Sequence, residues 1–105
     1  MPEAEVDELL DVFKALANAK RLQIMAWLRD PEAHFSPQVD PMTEVGVCVK
    51  QIQEKAGISQ STTSQFMSVL QRAGLVQSTR IGQWTYYRRN DARISQLPRL
   101  LGDTL

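Results

Sequence analysis

The sequence predicts a mainly helical domain that carries one small β-hairpin. Apolar residues recur at helical spacing over most of the chain, whereas only residues 75–89 contain two extended runs rich in Val, Thr, Tyr and Trp. A chain of 105 residues fits a single domain. Its apolar runs are all shorter than the roughly 18 residues that a membrane-spanning helix needs.

The first half of the chain predicts two helices and a long loop. Residues 4–17 combine an apolar stripe with acidic side chains in the first turns, where the helix dipole favours them. Asn18 is a suitable N-cap for a second helix over 19–29, which is apolar over much of its circumference and is expected to be largely buried. Residues 31–46 show no clear period, contain three prolines, and are predicted to be an irregular loop.

A pair of helices joined by a tight turn follows this loop. The third helix covers about residues 48–56 and ends at Gly57, and Ser59 is a good N-cap for a fourth helix from 60 to 73. Gly74 is placed to close that helix in the left-handed conformation. The inner face of the fourth helix is predicted to consist of Thr62, Phe66, Val69, Leu70 and Ala73.

A hairpin and a final helix complete the predicted domain. The runs Leu75–Arg80 and Trp84–Arg89 are joined by a short glycine-containing segment, as in a β-hairpin. Asn90 or Asp91 caps the last helix, in which Pro98 predicts a kink or a break. Two short helices joined by a turn and followed by a hairpin make a winged helix-turn-helix. The prediction is five helices plus a two-stranded wing over residues 75–89.

The charge distribution suggests a polyanionic partner. The chain has no net charge, yet residues 1–49 hold nine acidic and four basic side chains, a balance of −5. Residues 50–90 hold six basic side chains against Glu54 alone, a balance of +5. A basic second half on a neutral chain attracts nucleic acid. Chance clustering of surface charge is the alternative interpretation.

The outer face of the fourth helix points to double-stranded DNA. An α-helix fits the major groove, where short hydroxyl and amide side chains donate to and accept from base edges. This helix contains no Asp or Glu, so nothing on it repels phosphate. A merely solvated helix would more often carry Glu and Lys pairs. The predicted DNA contacts are Gln60, Ser61, Thr63, Ser64, Gln65, Ser68 and Arg72.

The hairpin supplies a second predicted contact with DNA. Arg80 at its start, Gln83 at its tip and Arg88 at its end suit a wing that lies along the phosphate backbone. The aromatic residues of the hairpin have two interpretations, packing onto the helices or stacking on bases. Because a duplex exposes no base faces, packing is favoured for Trp84, Tyr86 and Tyr87.

Three motifs resemble those of the ArsR/SmtB family of bacterial repressors. They are FKALANAKRL over residues 13–22, ISQSTTSQ over 58–65 and LQRAGLV over 70–76. The resemblance covers about residues 8–103 apart from the long loop. It implies a homodimeric, sequence-specific repressor that binds an imperfect palindrome near a promoter and blocks polymerase.

The resemblance also implies that the first and last helices of two subunits form the dimer interface. Apolar faces at both ends of the chain support this independently, since a small domain with spare apolar faces tends to dimerise. The expected interface residues are Val6, Leu9, Leu10, Phe13, Ile94, Leu97 and Leu101.

The sensory sites of the metal-binding members are missing from this sequence. Their Cys-Val-Cys motif reads Cys48-Val49-Lys50 here, and a single thiolate cannot build a multi-sulfur site. We therefore expect no metal and no cofactor. Cys48 is either a redox-sensitive thiol at a helix start or a small apolar residue. The loop with His34, Phe35 and Met42 is a candidate site for an unidentified effector or partner.

The remaining sequence features bound the location and the class of protein. The acidic N-terminus lacks the features of a signal peptide, and one cysteine cannot form an internal disulfide, so we expect a cytoplasmic protein without membrane contact. No residues resemble an activated nucleophile with its base, so an enzyme is not expected. The competing hypothesis to a DNA-binding repressor is a winged helix that serves as a protein-interaction module.

Overall fold

A computed structural model describes residues 3–105 and shows helices packed around a small antiparallel sheet. The helices are α1 (Glu3–Leu16), α2 (Ala19–Arg29), α3 (Pro31–His34), α4 (Met42–Val45), α5 (Val49–Ala56), α6 (Gln60–Arg72) and α7 (Asp91–Thr104). The strands are β1 (Val47–Cys48), β2 (Val76–Ile81) and β3 (Trp84–Arg89), in the sheet order β1-β3-β2. No helix in this part of the chain is long and apolar enough to cross a membrane.

The predicted element count was too low. The described residues form seven helices and three strands, against the expected five and two, and segment 31–46 is not a wholly irregular loop. It contains α3, which starts at Pro31 because the fixed φ of proline suits the first helical position, and α4. Single-turn helices are too short to show a period. β1 was not predicted, because a strand of two residues is too short to show an alternation of apolar and polar side chains. In the structure it pairs with β3, with Val47 opposite Tyr87 and Cys48 opposite Tyr86.

The predicted helix caps are confirmed. The side chains of Asn18, Ser59 and Asn90 accept hydrogen bonds from the backbone N–H groups of the third residue that follows each of them. Gly57, with φ of 67°, ends α5 in the left-handed conformation, which leads directly into the Ser59 cap of α6. Local side-chain chemistry therefore sets where these helices begin and end.

The core lies between the helices and the inner face of the sheet. Ile24 of α2, Ile52 of α5 and Leu70 of α6 are completely buried, together with Val47 of β1. The expectation that α2 is largely buried was too broad, because Leu22 remains 54% exposed. The full core cluster is Val12, Ala15, Ile24, Met25, Leu28, Phe35, Met42, Val47, Ile52, Ala56, Met67, Leu70, Leu75 and Val76.

The last helix runs through its proline. α7 is continuous from Asp91 to Thr104, so the predicted break at Pro98 is wrong. A proline removes one backbone hydrogen bond and crowds the carbonyl four residues earlier, which strains a helix without always ending it. Pro98 itself is exposed. α7 packs beside α1, and the Arg93 guanidinium forms an ion pair with the Glu8 carboxylate.

The terminal helices expose an apolar stripe. Val6, Leu10 and Phe13 lie on one face of α1 and are 44%, 44% and 45% exposed. Leu9 was expected on that surface but is 4% exposed, because it lies at the edge of the stripe, on the side of α1 that also carries the buried Val12. On α7, Ile94 and Leu97 pack partly against the core, and Leu101 is half-buried.

Gly46 joins α4 to β1 at a point where no side chain fits. Its φ is 97°, and a Cβ added there would collide with the backbone carbonyl of Tyr87 and lie 2.8 Å from the amide nitrogen of Arg88. The absence of a side chain therefore lets segment 31–46 approach β3 closely.

We predict that Gly46→Ala lowers the free energy of unfolding by about 1–3 kcal/mol, because it combines an unfavourable backbone conformation with a steric collision. Urea unfolding followed by circular dichroism measures the change. The matched control is Gly102→Ala in α7, where an added Cβ meets nothing within 4 Å. If the two variants had the same free energy of unfolding, the close approach of Gly46 to β3 would not be what excludes a side chain at this position.

Candidate nucleic-acid interface

Two basic residues of the 13–22 motif hold the helices around α6 in place. The Lys20 ammonium donates to the carbonyl of Ala56 at the end of α5, at 2.6 Å. The Arg21 guanidinium donates to the carbonyl of Ala15 at the end of α1, also at 2.6 Å, and lies 5.2 Å from the ring centre of Phe66 on α6. Each satisfies a carbonyl that a helix end leaves without a partner. Both cations therefore fix the orientation of the helix-turn-helix.

The outer face of α6 is open and free of acidic groups. Its first turn starts at the Ser59 cap, where the Ser59 hydroxyl accepts from the N–H of Thr62 at 3.1 Å. No Asp or Glu lies between Gln60 and Arg72. Partial positive charge from the helix dipole adds to this at the N-terminal end. The predicted DNA contacts that are exposed on α6 are Gln60, Ser61, Ser64, Gln65, Ser68 and Arg72.

The prediction that Thr63 contacts DNA was wrong. Thr63 is completely buried, and its hydroxyl donates to the carbonyl of Ser59 at 2.8 Å. The buried line of α6 is Thr63, Met67 and Leu70, whereas the expected inner residues Thr62 and Phe66 are only half-buried. The predicted buried face was wrong by one residue, because Thr62 and Thr63 are adjacent and the sequence does not show which of the two side chains faces the core.

The wing has a tight tip and two distinct faces. Ile81 pairs with Trp84, so Gly82 and Gln83 form a two-residue turn, and the φ of 60° at Gly82 fits a type II′ hairpin. Arg80 and Gln83 are exposed, as expected for residues that meet phosphates. Strand alternation places Arg80 and Arg88 on opposite faces of the hairpin. Arg88 also lies at the base of the wing and is thus separated from the other predicted contacts.

A hydrogen bond that the sequence analysis missed connects α6 to the wing. The side-chain amide of Gln71 donates to the Ser78 hydroxyl at 3.0 Å. Ser78 and Arg80 lie on the same face of the hairpin. The hydrogen bond to Gln71 therefore turns the face that carries Arg80 toward α6. The helical spacing of Ser64, Ser68 and Gln71 is the signal that identifies Gln71, because it continues the exposed face by one more turn.

The aromatic residues of the wing differ in their environment. Tyr86 is buried and donates its hydroxyl hydrogen to Asp40 at 3.1 Å, and Tyr87 packs against the core, so both pack as predicted. Burial, with the adjacent Asp40 carboxylate, raises the pKa of Tyr86 above its usual value of 10. Packing was predicted for Trp84 too, but it is 41% exposed beside the tip.

Side-chain hydrogen bonds hold segment 31–46 against β1 and α5. The side-chain oxygen of Gln51 on α5 accepts from the N–H of Ser36 at 3.0 Å. The side-chain amide of Gln38 donates to the carbonyl of Gly46 at 2.7 Å, and its oxygen accepts from the N–H of Cys48 at 3.2 Å. Of the three candidate effector-site residues in this segment, Phe35 and Met42 are buried and line a surface cavity together, whereas His34 is exposed and does not line it.

Cys48 is the one cysteine of the sequence and the candidate for a redox role. Cys48 is a free, half-buried residue at the start of α5. Within residues 3–105, no three His, Cys, Asp or Glu side chains come together in a group that could hold a metal ion.

Comparison with known proteins identifies the family. The model of the family described as "Bacterial regulatory protein, arsR family" matches residues 47–78, which include β1, α5 and α6. YbzH of Bacillus subtilis, named as an uncharacterized HTH-type transcriptional regulator, is 49% identical over 92 residues, which are 86% of this chain and 91% of that protein. The Xylella fastidiosa biofilm growth-associated repressor is 28% identical over 95 residues, which are 90% of this chain and 71% of that protein.

Solved structures show the same fold. A homodimeric winged helix-turn-helix DNA-binding domain from Mycobacterium bovis has a TM-score of 0.68 and 31% identity, with 96% of this chain and 83% of that chain covered. The transcriptional repressor BigR from Xylella fastidiosa has a TM-score of 0.63 and 25% identity, with 98% and 91% covered. These relatives confirm the resemblance seen in the motifs. The chain belongs to the ArsR family of bacterial regulatory proteins and is a transcriptional regulator with a winged helix-turn-helix fold.

Proposed function

We propose that this regulator is a repressor that binds, as a homodimer, an imperfect palindrome near a promoter. In this proposal α6 enters the major groove and the tip of the wing follows the phosphate backbone. The observation that carries the proposal is the outer face of α6, where hydroxyl and amide side chains are exposed and acidic groups are missing. A bound dimer at the promoter would exclude polymerase.

The side chains on this face divide into two roles. Gln60, Ser61, Ser64, Gln65 and Ser68 lie near the start and middle of α6 and are placed to read base edges, since such side chains both donate and accept hydrogen bonds. Arg72, Arg80 and Gln83 suit phosphate contacts, which position the protein without reading sequence.

The apolar stripe of α1 supports the dimer. Val6, Leu10 and Phe13 are each exposed by more than two fifths and are spaced at i, i+4 and i+7. The adjoining α7 adds the half-buried Leu97 and Leu101 to the same end of the molecule. A two-fold dimer through this surface would present two recognition helices about 34 Å apart, one turn of B-DNA.

We predict that Gln60→Ala and Ser64→Ala each weaken operator binding by about 1–3 kcal/mol and relax the base preference. The operator is first selected from a pool of random duplexes, and fluorescence anisotropy then measures affinity over a salt titration. Gln23→Ala, on the exposed side of α2, is the matched control. Arg80→Ala should instead weaken binding to every sequence and flatten the salt dependence, because it removes a phosphate contact.

Two outcomes of this experiment would contradict the proposal. Unchanged operator binding by both the Gln60 and the Ser64 variants would refute the base-reading role of α6. No binding of the wild-type protein to any duplex at low salt would favour a protein-interaction module instead.

We predict that Phe13→Ser weakens dimerisation at least tenfold, because burying a phenylalanine side chain contributes about 1.5–3 kcal/mol. Sedimentation equilibrium measures the dimer dissociation constant. Leu22→Ser is the control, since Leu22 is similarly exposed but lies on α2, away from the stripe. A wild-type protein that stays monomeric, or equal effects of the two substitutions, would rule out this interface.

We predict that Gln71→Ala weakens binding to all duplexes by about 0.5–1.5 kcal/mol while leaving the base preference intact, because it frees the wing from α6. Ser78→Ala removes the other partner of the same hydrogen bond. The double variant should therefore bind no more weakly than either single variant. Fully additive losses would mean that the two residues act independently.

A further inference from the structure

A surface cavity of about 190 Å³ lies at the base of the wing. It is formed where the end of α2, the short α4, β1, the end of β3 and the start of α7 meet. We call it the arginine cavity, because three arginines lie in its wall. Its lining consists of Leu28, Arg29, Pro31, Met42, Thr43, Gly46, Val47, Tyr87, Arg88, Arg89 and Asp91.

The cavity carries excess positive charge. Asp91 is its one lining carboxylate and is already paired with Arg89, at 2.7 Å. Arg29 and Arg88 form no salt bridge with any residue in the described range 3–105. Two guanidinium groups from different elements, one on α2 and one on β3, are therefore left to bind an anion from outside the chain.

The other lining residues restrict what fits. Leu28, Met42 and Val47 are buried side chains that give the cavity an apolar floor, and the exposed Thr43 offers a hydroxyl. The volume is below the roughly 300–1,000 Å³ typical of pockets for drug-sized ligands. A small anion thus suits the cavity better than a nucleotide cofactor does.

From this we infer that the arginine cavity is an effector site for a small carboxylate- or phosphate-bearing anion, held by Arg29 and Arg88. The regulatory half of this inference rests on the proposed DNA binding. An anion that contacts both arginines would join α2 to the last residues of the wing strand. Occupancy would then alter the position of the wing and, with it, the affinity for DNA.

A DNA phosphate is the other source of such an anion, but the geometry disfavours it. Arg88 lies five residues from Gln83 at the tip, which is about 17 Å along an extended strand. It also occupies the hairpin face opposite to Arg80. A phosphate that meets the tip and α6 is therefore remote from the cavity.

The binding test titrates the ¹⁵N-labelled protein with inorganic phosphate and, separately, with acetate, at constant ionic strength balanced with chloride. We expect saturable shifts of the backbone amides of Gly46, Tyr87 and Arg88. Arg29→Gln and Arg88→Gln should each weaken binding about tenfold. Arg99→Gln, at an exposed arginine of α7 outside the cavity, should leave binding unchanged.

Shifts that do not saturate, or that survive both cavity substitutions, would overturn the inference. Urea unfolding of the Arg29 and Arg88 variants, compared with that of the wild-type protein, tests whether lost binding comes from a folding defect. Because this part contains no DNA, its result does not depend on whether the protein is a repressor.

The regulatory test measures operator affinity with and without the better of the two anions, again at constant ionic strength. We expect a change of at least about fivefold in wild-type protein that disappears in Arg29→Gln. An equal anion effect in wild type and Arg29→Gln would assign it to competition at the DNA contacts and overturn the regulatory half. Anion binding without any change in operator affinity would overturn that half as well.

Discussion

The anchoring of α6 on its buried face is the constraint on which the rest of this structure depends. Thr63, Met67 and Leu70 are completely buried, and the Thr63 hydroxyl is satisfied by the carbonyl of Ser59, so no polar atom on that side is left without a partner. If α6 were rotated by one residue, these three side chains would be exposed to solvent and serine side chains would be buried instead. The packing therefore determines which hydroxyl and amide groups face outward.

The surroundings of α6 make this orientation rigid at both ends. Lys20 and Arg21 donate hydrogen bonds to carbonyl groups at the ends of α5 and α1. The basic residues of the 13–22 motif therefore stabilise the helices that surround α6. At the other end, the Gln71–Ser78 hydrogen bond sets the wing relative to the helix. The wing is itself held by segment 31–46 through Asp40 and Tyr86. Segment 31–46 and the base of the wing are thus connected to the outer face of α6 through direct contacts.

Features governed by local chemistry could be predicted from the sequence. Each helix cap and the left-handed glycine depend on groups that are only a few residues apart, so the sequence is enough to identify them. They are the caps at Asn18, Ser59 and Asn90 and the glycine at position 57. Features decided by long-range packing could not. The burial of Thr63 and Leu9 depends on which face the rest of the fold covers, and β1 exists only because Val47 and Cys48 meet β3, about forty residues away. The placement of Arg88 on the hairpin face opposite to Arg80 also follows from the register of the two strands, which the sequence does not show.

In the proposed function, the open outer face of α6 is the surface that contacts DNA. Side-chain amide resonances test this most directly, because Gln60 and Gln65 report from that face and Gln23 and Gln96 from helices elsewhere. On addition of an operator duplex to labelled protein, we expect large shifts for Gln60, Gln65 and the wing-tip Gln83, and small ones for Gln23 and Gln96. Large shifts confined to Gln23 or Gln96, with Gln60 and Gln65 unmoved, would contradict it.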